Sequence, residues 1–558
     1  MRGEIVRGEE VAELVLGPLL RYVSQTEATV WVETSAPCEV EVLGFRERTF
    51  GVGGHYYALV RIEGLEPGGF YEYEVALDGE RRWPEPDSDL PPSAIRTMEP
   101  GKPLDICFGS CRVAVPHEPP YTLSKEEHED GHELDALYVL ARQMARGDRD
   151  EWPELLFMLG DQVYVDEGSP RARERTRARR DLSEPPGEEI KDFEEYTWLY
   201  HESWQDPLIR WLFSTVSISM AWDDHDMSDD WNISRSWHDE MEAKEWWHER
   251  AVSGIVSYWV YQHLGNLSPR ELDDNDLYAK VRGNPDASEA LREWAESIDK
   301  TAAGTRWSFC RDLDGVRALF IDSRASRRVL SEERRSMFDD EVWEWIVDHA
   351  GGGFDHLLIC TTVPYLLSPA FHDLEAWNER LCDGAWGGPV ARGSERLRRA
   401  ADFDHWAAFQ FSFHRLRRLL EEVGSGERGK PPASIVILSG DVHHAYLCDV
   451  AFKSGSGIES RVLQAVCSPY RNPLDERERK AIRFGFSRPF AACARALRRL
   501  SGAPDPGIRW RLLEGPYFDN QVGTVRLDGR EAIVRLDKTV AGDEDEKALE
   551  KSFERRLT

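Results

Sequence analysis

The chain has 558 residues, 41% hydrophobic and 31% charged, with a mean hydropathy of −0.54. That length and apolar content support a folded protein of more than one domain and exclude a single small module or a wholly disordered chain. Lysine and arginine number 70 against 102 aspartates and glutamates, and the resulting charge of −32 repels polyanions and excludes nonspecific nucleic-acid binding.

Taken in chain order, MRGEIVRGEEVAELVLGPLL has charges interrupting its apolar residues, no twin-arginine motif and no small-residue cleavage site. Nine cysteines are too sparse for a disulfide framework, and no apolar run reaches the about 18 residues of a membrane span. The expected location is therefore cytoplasmic. Residues 1–98 are expected as a β-sandwich domain, because short alternating runs such as ATVWVET and FYEYEVALDG are separated by Gly and Pro turns. The stretch Leu65 to Tyr73, L-x-P-G-x-x-Y-x-Y, resembles the end of a fibronectin type III-like domain.

Residues 99–540 are expected as an α/β catalytic domain. Its apolar runs LDICFGSC, LLFMLGD, VSISMAWDD, VRALFIDSR, LLICTTVP and ASIVILSGD predict strands buried on both faces. Each run ends in small or polar residues, and sites in such folds gather at the carboxyl ends of strands, so these ends are expected to converge. The basic block RARERTRARR reads as a solvated helix and loop, and GTVRLDG with EAIVRLDK as a closing hairpin. Residues 541–558 are expected as a charged tail, exposed or frayed.

Three of the strand ends carry unusual chemistry. Asp161 follows Gly160, which permits close chain approach. Five carboxylates, Asp223, Asp224, Asp226, Asp229 and Asp230, surround His225 within eight residues. So many anions repel one another unless cations sit among them, which predicts a metal site. Asp441 and His443, two residues apart in an extended segment, project to one side and can grip neighbouring metals.

In order, Gly109-Ser110-Cys111, Gly160-Asp161-Gln162-Val163-Tyr164, Asp223-Asp224-His225, Asp322-Ser323-Arg324 and Ser439-Gly440-Asp441-Val442-His443 resemble the alkaline phosphatase D (PhoD-like) family of calcineurin-like metallophosphoesterases. The resemblance implies an αββα metallophosphoesterase sandwich and hydrolysis of a phosphoric ester, monoester or diester, by a metal-bound hydroxide or oxide. It implies Fe3+ on Cys111, Tyr164 and His443, bridged through Asp161 to one or two Ca2+ ions on Asp224 and Asp441. Cys111 stands where the superfamily has a histidine, and Thr361 and Thr362 stand where its lone histidine would be, offering oxygen donors to the second metal. His225 is placed to protonate the leaving oxygen. Arg112 and Arg324 either clamp a phosphate oxygen or pair with nearby carboxylates. Two alternatives stay open: a strict phosphodiesterase with a Zn2+ or Mn2+ pair, and a noncatalytic scaffold whose β-domain binds a partner. The expected partner is a phosphate-ester substrate; the motifs specify neither the natural ester nor the oligomeric state.

Overall fold

A strand whose two faces meet different partners needs apolar residues at both odd and even positions, and the N-terminal strands show this pattern. In Glu27–Thr34, Ala28, Val30 and Val32 enter the core of an antiparallel β region, whereas Trp31 packs with the rest of the chain. His55–Glu63 repeats the division, with Ala58, Val60 and Ile62 on one side and Tyr57 and Leu59 on the other. The computed structural model describes residues 11–301, 306–329, 335–542 and 548–558. In it two four-stranded antiparallel sheets share the first of these cores. The buried Arg21 side chain donates to the carbonyls of Tyr261 and Gln262 at 2.9 and 2.6 Å, fastening the region to the rest of the chain.

That junction holds an ionic cluster. The buried Glu33 carboxylate accepts from His55 Nδ1 at 2.9 Å, His201 Nε2 at 2.9 Å and the Tyr261 hydroxyl at 3.0 Å, while His55 Nε2 meets Glu194 at 2.9 Å. Burial opposes a charge on His55, but Glu33 and Glu194 outweigh it and push its pKa up to about 9. A histidine raised from about 6.5 in the unfolded chain contributes stability that is full below that pH and is lost as pH rises through the folded value. The melting temperature should therefore fall between about pH 6.5 and 9. Glu33→Gln should flatten that slope in a thermal-shift series; an unchanged slope would assign the pH dependence elsewhere.

The rest of the chain is built on two stacked sheets. The parallel strands Leu104–Gly109, Leu155–Leu159 and Ser217–Ala221 continue into the antiparallel hairpin Gln521–Asp528 and Glu531–Val540. In the second sheet, Val316–Ile321, His356–Thr361, Ser434–Ser439 and Arg461–Val466 run parallel. Alternation again sorts the side chains: Leu155, Phe157 and Leu159 face the other sheet, and Leu156 and Met158 face helices. Phe157 meets Phe320 of the second sheet edge-on at 4.9 Å between ring centroids. Ala136–Arg146, Pro207–Thr215 and Trp247–Ser257 cover the outer face of one sheet, and Asp340–Ala350 and Gln410–Gly424 that of the other.

The C-terminal segment corrects an expectation. Ala548–Arg556 is a strand paired antiparallel with Glu531–Val540, and Leu557 is buried against the inter-sheet core. Its frequent charges conceal half-buried positions, among them Phe553, which packs on that core. Pairing also covers the open edge of the hairpin. This sheet thus extends past residue 540; residues 543–547 lie outside the described residues.

Candidate metal centre

At the carboxyl ends of the central strands the chain turns through residues with positive φ: Cys111 (58°), Asp161 (53°), Asp441 (68°) and His443 (50°). Left-handed backbone at a residue other than glycine costs on the order of 1–3 kcal/mol and is concentrated at functional sites. Four of the six expected metal ligands share it. Two glycines make the approach possible: a Cβ on Gly440 would overlap the Ser110 side chain, and one on Gly160, at φ 113°, the Asp223 side chain. The Ser110 hydroxyl then accepts the Asp441 N–H at 2.9 Å, tying the first strand end to the last.

Five of the six expected ligands fall into groups of side chains close enough to share a cation. Ligand atoms of Cys111, Asp161 and His443 lie within 4.8 Å of one another, as do those of Asp161, Asp224 and His225, and of Asp223, Asp224 and Asp441. The Cys111 thiol faces Asp161 Oδ2 at 3.2 Å. Burial, then Asp161 and Asp441, hold that thiol well above its usual range. Burial lowers His443 to about 4, so its imidazole is neutral at physiological pH. Tyr164 is buried beside them, its ring 4.5 Å from that of His225 and its oxygen 3.3 Å from the Asn472 amide. Asp161 Oδ1 is buried with no hydrogen-bond partner. An orphaned carboxylate oxygen beside a thiol, a phenol and a neutral imidazole fits a cation, and this donor set fits ferric iron.

His225 is oriented by Asp166, a residue the sequence motifs did not single out. Its Nδ1 donates to Asp166 at 2.9 Å, leaving Nε2 for the cavity. Burial opposes the imidazolium, yet Asp166, Asp161 and Asp224 hold its pKa well above the ordinary value.

The five clustered carboxylates divide by role. Asp226 accepts the N–H groups of Gln162, Val163 and Asp223 at 3.0–3.2 Å and holds the Asp161 loop in place. Asp223 pairs with Arg324. Asp224, Asp229 and Asp230 line a cavity of about 470 Å³ together with Asp161, Asp441 and His443.

Three expectations need correction. Arg112 does not enter this cavity: its Nε bonds Asp135 at 2.7 Å and its Nη1 the Ser203 carbonyl at 2.6 Å, so of its two open readings the structural pair holds. Arg112→Met strands the buried Asp135 carboxylate and should cost about 3–5 kcal/mol in denaturant melts. Its folded fraction should keep its turnover; a stable but inactive variant would return Arg112 to the site. Arg324 does line the cavity, but its guanidinium bridges Asp223, Asp404, Asp224 and Asp441, the last at 2.9 Å. It organises carboxylates, and no nitrogen is left over as a phosphate clamp. Thr361 and Thr362 are fully buried, their hydroxyls bonded to Trp406 and Ser323. The imidazole near Asp441 comes from His405 instead, whose Nε2 lies 3.2 Å from Asp441 Oδ2 while its Nδ1 bonds buried Glu375 at 2.8 Å.

A family model described as PhoD-like phosphatase matches residues 130–284, a span that holds Asp161, Tyr164, Asp224 and His225. A second, described as a domain of unknown function (DUF7800), matches residues 11–95. No curated protein matches the chain. Among solved structures, one titled "Structure of PhoD" aligns with a TM-score of 0.59 at 12% identity, over 98% of this chain and 92% of that one. At that identity the likeness is one of fold.

Proposed function

We propose, for a chain that is a PhoD-like hydrolase of phosphoric ester bonds, that hydrolysis is metal-dependent and extends to phosphomonoesters, phosphodiesters or both. The buried, unpartnered Asp161 oxygen carries the metal dependence, since it stands between the Cys111–His443 and Asp224–His225 groups with no proton donor of its own. Cys111, Tyr164, Asp161 and His443 would hold Fe3+, and Asp161, Asp224 and Asp441 one or two Ca2+ ions. When bound, such cations neutralise the ester's non-bridging oxygens and acidify the attacking water.

The protein's own groups supply the rest. His225, held by Asp166, presents a protonated Nε2 to the leaving oxygen. Leu367, Phe371, Phe403 and Ile482 also line the cavity and limit water around the ester. We read the stacked sheets with their helices as the metallophosphoesterase sandwich, and the N-terminal sheets as fibronectin type III-like.

Assay of a chromogenic phosphomonoester and diester, before and after chelation, tests the reading. Hydrolysis that stops on chelation and returns with metal supports it. Hydrolysis that survives complete metal removal overturns the metal dependence, and no turnover with Fe3+/Ca2+, Zn2+ or Mn2+ would favour the scaffold.

A further inference from the structure

Eight large apolar side chains are exposed among the described residues, and five of them, Trp386, Val390, Leu397, Phe484 and Leu500, lie on or beside helices flanking the cavity. Two are strongly exposed, Phe484 at 57% and Leu500 at 71%. They belong to the helices Glu476–Gly485 and Arg488–Leu500. The first contributes Glu478 and Ile482 to the cavity wall, and the residues just after helix Gly388–Ala400 line the same cavity. Phe484 stacks on Phe490 at 4.6 Å, and Phe490 meets Phe371 of the cavity wall at 6.2 Å. An aromatic run therefore leads from solvent to the site.

Charge on these helices opposes that of the whole chain. Residues 476–500 contain eight basic residues and two acidic ones, and residues 386–399 four arginines and one glutamate, in a chain of charge −32. Arg477, Arg488 and Arg499 are exposed, and Arg488 and Arg499 form no ion pair among the described residues. With a screening length of about 8 Å at physiological salt, an approaching surface senses this local patch and not the distant acidic faces. Basic side chains around exposed Phe and Leu on amphipathic helices match an anionic bilayer, where arginines meet headgroups and the apolar tips enter the acyl boundary. A soluble polyanion would use the arginines and leave the aromatic and aliphatic tips unpaired. Among the described residues no helix is long and apolar enough to cross a membrane, so contact would be from one side only.

We propose that the helices Glu476–Gly485 and Arg488–Leu500, which flank the cavity, dock the protein on an anionic lipid surface. The test is co-sedimentation of the full-length, metal-loaded protein with vesicles of phosphatidylcholine, pure or with about 30% phosphatidylglycerol. Binding is expected only to the anionic vesicles. It should weaken by about 10-fold or more in the pair Arg488→Glu/Arg499→Glu and in the pair Phe484→Ser/Leu500→Ser. Unchanged melting temperatures would establish that both pairs fold. Equal sedimentation with neutral and anionic vesicles, or none with either, overturns the proposal. So does full vesicle binding by the Phe484→Ser/Leu500→Ser pair together with release by inorganic polyphosphate, which would make the patch a polyanion site. A lipid-free dimer that the same pair disperses would identify a second copy as the occupant and would equally overturn it.

Discussion

His225→Ala should lower turnover by about 10²-fold to 10⁴-fold on esters with poor leaving groups, and less on esters whose alcohols depart unaided. The dependence on leaving group follows from geometry: Asp166 takes Nδ1–H at 2.9 Å, so Nε2 is the nitrogen that faces the cavity. Asp161 and Asp224 also raise the His225 pKa, but in the metal-loaded protein their charge is shared with cations, which leaves Asp166 as the dominant support of the imidazolium. Asp166→Asn should accordingly move the alkaline limb of the pH–rate profile to lower pH, because a histidine with a lowered pKa loses its proton earlier. A pH series with two leaving groups measures both effects. Equal losses across the leaving groups with an unmoved alkaline limb would show that His225 orients the site and donates no proton.

The contrast between His225 and Asp166 shows what the chain could disclose before folding. Each central strand is a largely apolar run of five or six residues followed by a small or charged residue, so its end is visible in the linear chain, and with it Cys111, Asp161, Asp224, Asp441 and His443. Groups brought from loops carry no such mark. Asp166 lies beyond the Asp161 turn, and His405 arrives between a helix and a short turn, held by Glu375 from a third segment. Their roles come from tertiary contact alone. Arg112 illustrates the converse, since adjacency to Cys111 suggested a common target, yet the left-handed Cys111 turns the chain and sends the guanidinium to Asp135 and Ser203. The final strand was hidden for another reason: as the last strand of its sheet it carries many charges, and their density masks the half-buried positions between them.

On the proposed ferric assignment, Cys111→Ser should remove the thiolate-to-metal part of the visible absorption and lower activity by at least about 100-fold, beyond what loss of an outer-shell partner costs. A buried serine keeps the hydrogen bond to Asp161 but offers no thiolate, and among the remaining donors only Tyr164 can give a ferric chromophore. The wild-type thiol is held protonated by burial and by Asp161 and Asp441, so an arriving cation must displace its proton. Loading should thus release protons and strengthen with rising pH in the wild type, and Cys111→Ser should lose part of that pH dependence as well as the thiolate band. Asp161→Asn separates the sites: it neutralises the carboxylate shared by the Cys111–His443 and Asp224–His225 groups, so elemental analysis should show weakened retention of both metals. A colourless, iron-free wild type with full activity would overturn the ferric assignment and leave the hydrolase intact, because the orphaned Asp161 oxygen calls for a cation without dictating which one.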